Sequence, residues 1–179
     1  MFEDERSGHY ITLKFNFDSE IEVENPRLAM EDAEEHEIYF NGEKIVPVID
    51  GYYVDEDIKA FSIPKIVKGT NELVVKLRLD VRSSTENCFI LGDFGVKVMG
   101  SEAMIVEKEK KIGYAPTFMQ SLPFYGGNIT YHNELETPDC DLIIQTSYYK
   151  GALVKVYLDG KDCGNIVFSP YKLKIDGVK

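Results

Sequence analysis

The chain has 179 residues, of which 44% are hydrophobic and 28% are charged, so it is long enough for one large domain or two small ones. It carries 31 acidic against 20 basic residues, and the resulting net charge of −11 argues against a nucleic acid or an anionic membrane as partner. No apolar run is long enough to span a bilayer, and the opening MFEDER lacks the pattern of a signal peptide. The sequence leaves the localisation unknown; if the protein is exported, we expect the signal to lie outside this chain.

Three cysteines, Cys88, Cys140 and Cys163, show none of the close spacings typical of metal or redox sites. The pattern favours buried thiols in a reducing compartment. A bridge between Cys140 and Cys163 stays open, because both lie in the later part of the chain and the sequence does not give their distance.

Alternating apolar residues predict the first elements. Tyr10–Phe17 places Ile11, Leu13, Phe15 and Phe17 on one face, as expected of a half-buried strand. Glu37–Phe40 leads into Asn41-Gly42, a pair suited to a tight turn, and Glu43–Val48 returns as the second arm of a hairpin.

The middle of the chain continues in the same way. Gly69 and Asn71 supply turn chemistry before Glu72–Asp80, which we predict to be a core strand. Asn87–Val98 reads as one apolar strand that Gly92 and Gly95 interrupt, with a bulge or a close backbone approach. For Gly100–Gly113 two interpretations stay open, a charged linker or an exposed edge strand and turn.

Further strands are predicted in the last third of the chain, at Ile129–Leu135, Leu142–Ser147, Leu153–Leu158 and Ile166–Phe168, with a hairpin turn at Asp159-Gly160. Only Ala29–Glu35 and Lys65–Val67 show helical character, and each is about one turn long. Many short strands separated by turn signals predict an all-β sandwich.

Two segments recur in one register. Ile129-Thr130 stands 118 residues after Ile11-Thr12, and Val156-Tyr-Leu-Asp-Gly160 stands 118 residues after Ile38-Tyr-Phe-Asn-Gly42. Matches that share an offset indicate a duplicated β unit.

The order of several motifs resembles a known family. Leu28-Ala-Met-Glu31, Ile38–Gly42, Asp55, Phe61–Gly69 and Asn71–Val75 look like the galactose-binding-like jelly-roll domain of large bacterial glycoside hydrolases. Leu91–Val96, Leu122–Gly127 and Gly164–Tyr171 look like the C-terminal sandwich region of rhamnosidase-like and sugar-binding-domain hydrolases. The resemblance implies two jelly-roll units, residues 1–105 and 106–179.

The second copy departs from this pattern. Leu173 and Ile175 match Phe61 and Ile63, but the Gly-x-Asn turn and the strand after it have no counterpart before Lys179. We therefore expect the second unit to be truncated, as in an excised piece of a longer protein, and either to stay partly closed or to recruit a strand from another copy.

The resemblance implies a non-catalytic accessory region that supports a catalytic domain of the same polypeptide and contacts carbohydrate. Two alternatives stay open: a fragment carrying part of a glycosidase active site, and a purely structural or interaction module. Because the family keeps its catalytic acids in a separate domain, we expect no catalytic residue here and interpret Glu31, Asp32, Asp55–Asp57 and Asp93 as solvated or capping acids.

Sugar binding by such domains uses aromatic faces that stack on pyranose rings, together with a few polar groups. The predicted ligand-binding residues are Tyr52, Tyr53, Asp55 and Tyr125, and Tyr148-Tyr149 is a further aromatic pair. Since neighbours in a strand point to opposite faces, at most one tyrosine of each pair serves a given site. No metal site or cofactor is predicted, although a structural calcium ion in the acidic segment Asp50–Asp57 stays open.

Overall fold

A computed structural model describes residues 9–78, 88–136, 139–147 and 149–178. Among them the chain is all-β, and its helical elements are two short 3-10 turns, Ala33–Glu35 and Thr117–Gln120. No helix in the described residues is long and apolar enough to cross a membrane. The strands are β1 Tyr10–Ser19, β2 Arg27–Met30, β3 Glu37–Phe40, β4 Glu43–Ile45, β5 Ile49–Tyr53, β6 Asp55–Ser62, β7 Gly69–Arg78, β8 Phe89–Leu91, β9 Gly95–Met99, β10 Glu102–Val106, β11 Cys140–Gln145, β12 Val154–Leu158, β13 Lys161–Ile166 and β14 Lys172–Val178.

The chain divides into two compact units, Met1–Gly127 and Asn128–Lys179. The boundary predicted between residues 105 and 106 falls inside β10. The division into two galactose-binding-like domains stays a prediction.

Unit 1 contains two sheets. Six strands form the larger one in the order β4-β3-β7-β1-β10-β9, and four form the smaller one in the order β5-β6-β2-β8. The longest pairing joins β1 and β7 antiparallel over ten residues, from Tyr10 opposite Arg78 to Ser19 opposite Gly69. On its other edge β7 pairs with β3, so it is a central strand of the larger sheet, in agreement with its predicted role. Residues 79 and 80 of the predicted strand lie outside the described residues.

The apolar faces of the two sheets pack against each other to form one core, as in a β-sandwich. Its most deeply buried large side chains come from both sheets, and all are at most 2% exposed: Leu28, Ile38, Phe40, Phe61, Leu73 and Val75. Burial of each such side chain contributes about 1.5 to 3 kcal/mol, so this core is the main source of stability in unit 1.

A buried amide closes the sandwich at the start of β7. Asn71 is 1% exposed, and its Oδ1 accepts hydrogen bonds from Asn41 Nδ2 (2.9 Å) and from the backbone N–H of Val67 (3.0 Å). Its Nδ2 donates to the carbonyls of Val67 (2.8 Å) and Gly69 (3.1 Å). The Asn71 side chain therefore supplies hydrogen-bond partners to backbone groups of the turn before β7 and links this turn to the β3–β4 hairpin. The sequence predicted only the turn itself.

The glycine-interrupted segment is two strands in different sheets. β8 ends at Leu91 in the smaller sheet, and β9 begins at Gly95 in the larger one, so the single strand predicted for Asn87–Val98 is wrong. The predicted close backbone approach is confirmed at Gly95, where an added Cβ would lie 2.8 Å from Ser121 Cβ. Asn87 lies outside the described residues.

The segment between Gly100 and Gly113 also differs from both interpretations. β10 pairs with β9 on one side and, in parallel, with β1 on the other, so it is an interior strand rather than a linker or an edge. The charged residues Glu107–Lys111 follow β10 and lie outside the sheet, so they do not indicate the position of the strand itself.

The predicted helical turns form only in part. Ala29 belongs to β2, and the 3-10 turn is confined to Ala33–Glu35. Ile66 forms an isolated antiparallel bridge with Val23 instead of a helix. Tertiary pairing outweighs the weak local helix preference at both places.

Unit 2 contains two antiparallel strand pairs, β11 with β14 and β12 with β13. The repeated hairpin is confirmed. Asn41 and Gly42 have φ of 49° and 82°, and Asp159 and Gly160 have φ of 49° and 78°, so both turns use two left-handed residues.

The predicted strand Ile129–Leu135 is wrong, since residues 128–136 contain no strand. Its counterpart β1 owes nearly all its pairing to β7, and the described part of unit 2 contains no strand equivalent to β7. A β-like sequence without a neighbouring edge has no ladder to join. For Ile166–Phe168, only Ile166 lies in a strand.

All three cysteines are free, so the bridge that the sequence left open between Cys140 and Cys163 does not form. Cys140 is exposed, contrary to the predicted burial, whereas Cys88 and Cys163 are half-buried. Desolvation by burial raises the pKa of the Cys88 thiol above its ordinary value.

Exposed ion pairs link strands of the second unit. Lys174 Nζ lies 2.6 Å from Asp141 across the β11–β14 pair and also contacts Asp176, and these hydrogen bonds raise the pKa of Lys174. The bond from Lys174, followed by one from the Gly177 N–H, lowers the pKa of Asp141 below its ordinary value of 3.8. Lys155 and the Gly164 N–H lower the pKa of Asp162 in the same way.

We expect Asn71→Ala to lower the free energy of unfolding by about 3 kcal/mol, because it leaves several buried backbone and amide groups without partners. Chemical denaturation of the full chain measures this. Asn16→Ala, an exposed position on β1 of the same sheet, is the control and should change stability by less than about 0.5 kcal/mol. Equal effects of the two substitutions would contradict the role given to Asn71.

Acid should loosen the β11–β14 pair. Because the folded state lowers the pKa of Asp141, its contribution is complete above 3.8 and is lost as pH falls through the lower folded-state value. NMR titration of the Gly177 amide should therefore show a midpoint below 3.8. Asp141→Asn keeps an acceptor oxygen but removes the charge, and should abolish this transition; a midpoint at or above 3.8 in the unsubstituted chain would refute the pairing.

Candidate functional site

The turn between β5 and β6 brings together three of the four predicted ligand-binding residues. Tyr53 and Asp55 face each other across the strand pair, with Val54 alone between them. Val54 has φ of 65° and is 82% exposed. This left-handed conformation is strained for a β-branched residue, so the turn holds its shape against a local preference.

The two tyrosines of this turn have different surroundings, as adjacent strand residues should. The ring of Tyr53 is half-buried and lies 5.2 Å from the ring of Phe89, centroid to centroid, at an interplanar angle of 49°. Tyr52 is 58% exposed. Tyr53 therefore packs the smaller sheet, and Tyr52 is the ring that an external ligand reaches.

Charged groups lie along the strands that form this turn. Arg27 of β2 forms an ion pair with Asp50 of β5, and its guanidinium lies under Gly51, where an added Cβ would be 3.2 Å from Nη2. Asp55 Oδ1 accepts a hydrogen bond from the Asp57 N–H at 3.0 Å. Because Gly51 and Tyr52 are neighbours in β5, Arg27 lies on the face opposite Tyr52, whereas Lys59 stands directly across from Tyr52 in β6. An exposed aromatic ring with a charged residue across the strand pair is suited to polyhydroxylated ligands.

Sequence reasoning missed the Arg27–Asp50 pair. The two residues are 23 positions apart, and only the packing of β2, β6 and β5 in one sheet brings them together. No local pattern could have indicated it.

Tyr125, the fourth predicted residue, lies on a different part of unit 1. Its backbone N–H bonds to Leu122 O, in the segment whose Ser121 carbonyl accepts from Val96 of β9. β9 ends the larger sheet at the side opposite β4, whereas β5 follows β4 after three residues. Tyr125 is 47% exposed but does not share a turn with Tyr52.

In the remaining aromatic pair, Tyr149 has a structural role. Tyr149 donates hydrogen bonds to the carbonyls of Ile166 (3.1 Å) and Val167 (3.3 Å), and its ring meets Tyr171 edge to face at 5.6 Å. Tyr148 lies outside the described residues.

Three of the acids considered as catalytic candidates, Glu31, Asp32 and Asp57, line an open depression of about 340 Å³. Glu34, Lys59 and Ala33 complete its lining. Asp93 is elsewhere and forms an ion pair with Lys108 at 2.7 Å. Among the described residues, no three metal-ligating side chains are grouped so as to hold a metal ion.

A second cavity lies at the edge of the core and is lined by Glu31, His36, Cys88 and apolar side chains. Its volume of about 10 Å³ is at most that of one water molecule, so it holds no larger ligand.

No family model, no curated protein and no solved structure matches this chain significantly. The resemblance to galactose-binding-like domains therefore rests on the motifs and their order.

We expect Val54→Gly to raise the free energy of unfolding by about 1 kcal/mol, because glycine adopts positive φ without strain and the exposed valine loses little packing. Denaturant midpoints measure this. Val48→Gly is the matched control, since Val48 is 75% exposed but outside the positive-φ residues, and it should lower stability instead. Destabilisation by both substitutions would contradict the strain at Val54.

Proposed function

We propose that this chain is a non-catalytic accessory region of a glycoside hydrolase of the large bacterial type, built from galactose-binding-like jelly-roll units. It supports a catalytic domain of the same polypeptide and contacts carbohydrate at the β5–β6 turn. The order of the motifs and the all-β architecture support the family, and the net charge of −11 favours a neutral sugar over a polyanion.

The observation that carries the carbohydrate contact is the exposed ring of Tyr52, with Lys59 directly across from it in β6. A pyranose ring stacks its C–H face on the tyrosine, while its hydroxyls bond to the charged groups at the turn. One aromatic platform gives weak binding, which suits a module that raises the local concentration of a polysaccharide near a catalytic domain.

A second candidate function is hydrolysis at the acidic depression, favoured by the gathering of Glu31, Asp32 and Asp57 there. Glycosidases act through two carboxylates about 5 to 10 Å apart. If the chain alone cleaves aryl glycosides and Glu31→Gln or Asp57→Asn removes that activity, the accessory role is wrong.

Retention of the full chain on a panel of immobilised neutral polysaccharides tests the carbohydrate contact. We expect Tyr52→Ala to weaken binding to the retained polysaccharide about tenfold or more, because it removes the stacking surface without touching the core. Tyr53→Ala should instead lower stability through the lost contact with Phe89.

Tyr10→Ala is the matched control, since Tyr10 is 73% exposed on β1 of the other sheet and should leave retention unchanged. Tyr125→Ala tests whether the separate segment contributes to the same site. Failure of every polysaccharide to retain the folded chain would overturn the carbohydrate contact.

A further inference from the structure

The repeated hairpin has different neighbours in the two units. In unit 1, β3 lies between β4 and β7, with Ile38 opposite Val75, Phe40 opposite Leu73 and Glu37 opposite Lys76. In unit 2, the equivalent strand β12 pairs with β13, and no strand of the described residues pairs with its other edge. The side that β7 occupies on β3 is thus an unpaired row of backbone groups on β12.

Burial differs at matching positions. Ile38 and Phe40 are fully buried, whereas Val156 is 7% exposed and Leu158 is only half-buried. Lys155 and Tyr157 point to the other, exposed face, as Glu37 and Tyr39 do relative to the core of unit 1. β12 therefore has the alternation of β3 but lacks part of the cover that β7 provides.

The turn residue supplies a second point of attachment. In unit 1, the backbone N–H of Asn41 donates to Glu72 O (2.9 Å), and Asn41 Oδ1 accepts from the Glu72 N–H (2.8 Å). Asp159 stands at the matching position with the same φ of 49°. Its carboxylate is an acceptor for the corresponding N–H of an added strand.

The charges around the hairpin tyrosine are reversed between the units. Tyr39 donates to Glu37 at 3.1 Å, has Lys44 directly across in β4, and has Lys76 of β7 4.9 Å from its ring centroid. Around Tyr157, the residue that corresponds to Glu37 is Lys155, whose Nζ lies 5.3 Å from the ring centroid. The residue that corresponds to Lys44 is Asp162, directly across in β13. The same reversal at the third position, that of Lys76, predicts that an added strand carries an acidic residue opposite Lys155.

The segment at residues 128–136 fits the same interpretation. It begins with Ile129-Thr130, which stands 118 residues after Ile11-Thr12 of β1, the other neighbour of β7, yet it contains no strand. The strand that joins β3 and β1 in unit 1 has no equivalent in the described part of unit 2.

We propose that the unpaired edge of β12 is a docking site for an extended polypeptide strand. The strand pairs antiparallel with β12 in the register of β7 on β3, placing apolar residues opposite Val156 and Leu158 and an acidic residue opposite Lys155. This proposal does not depend on carbohydrate binding.

A synthetic peptide tests the proposal on the full chain. The probe is the β7 segment Gly69–Arg78, GTNELVVKLR, with the lysine that corresponds to Lys76 replaced by glutamate, and the unsubstituted segment is its control. The glutamate peptide should bind about three- to tenfold more tightly than the unsubstituted peptide, because it places an opposite charge rather than a like charge across from Lys155. Fluorescence anisotropy measures both affinities. The Lys155→Glu variant should reverse this preference.

Amide hydrogen exchange locates the bound peptide. We expect protection in Val154–Leu158, with β4 unchanged. Asp159→Asn should preserve binding because it keeps the acceptor, whereas Asp159→Gly should weaken it about threefold to tenfold.

Three results would overturn the proposal. The first uses a third peptide, in which serine replaces the residues corresponding to Leu73, Val75 and Leu77: all three peptides bind with equal affinity. Another is binding without protection of β12. The third is concentration-dependent dimerisation that protects β12 and is unaffected by peptide, which would identify a second copy of the chain as the occupant.

Discussion

The pairing of β7 with β1 and β3 is the constraint on which unit 1 depends. This strand supplies Leu73, Val75 and Leu77 to the core, and it begins at the buried Asn71. Removing such a strand from a sheet would expose apolar side chains of the core and leave both neighbours without the backbone hydrogen bonds that they make to it. The position of the smaller sheet follows, because its apolar face packs on the side chains that β7 and β3 present.

Unit 2 shows the consequence of lacking that constraint. Its hairpin repeats that of unit 1 in sequence and turn geometry, yet its described residues include only two buried apolar side chains, Val156 and Ile166. Exposed ion pairs on Lys174 and Lys155 contribute little compared with a core, since solvent screens them. Local hairpin chemistry is thus sufficient for strands, but a closed sandwich needs the strand that joins them.

Both proposed binding sites use residues that the packing of the cores leaves exposed or unpaired. At the β5–β6 turn one tyrosine packs on Phe89 and its neighbour is exposed to solvent. The turn holds Val54 in a strained conformation, and Arg27 pairs with Asp50 in the same sheet. Carbohydrate contact and strand docking are proposed for different units of the chain, and each uses groups that the cores do not need.

The sequence by itself determined the all-β class, the two tight hairpin turns and the strand character of β1, β3 and β7, because period-two alternation and turn residues act locally. Tertiary structure alone decided that residues 89–99 cross between sheets, that β10 is interior, and that Ile129–Leu135 forms no strand. It also decided that Tyr125 lies apart from Tyr52. These outcomes depend on which distant strand is available for pairing, and sequence periodicity does not record it.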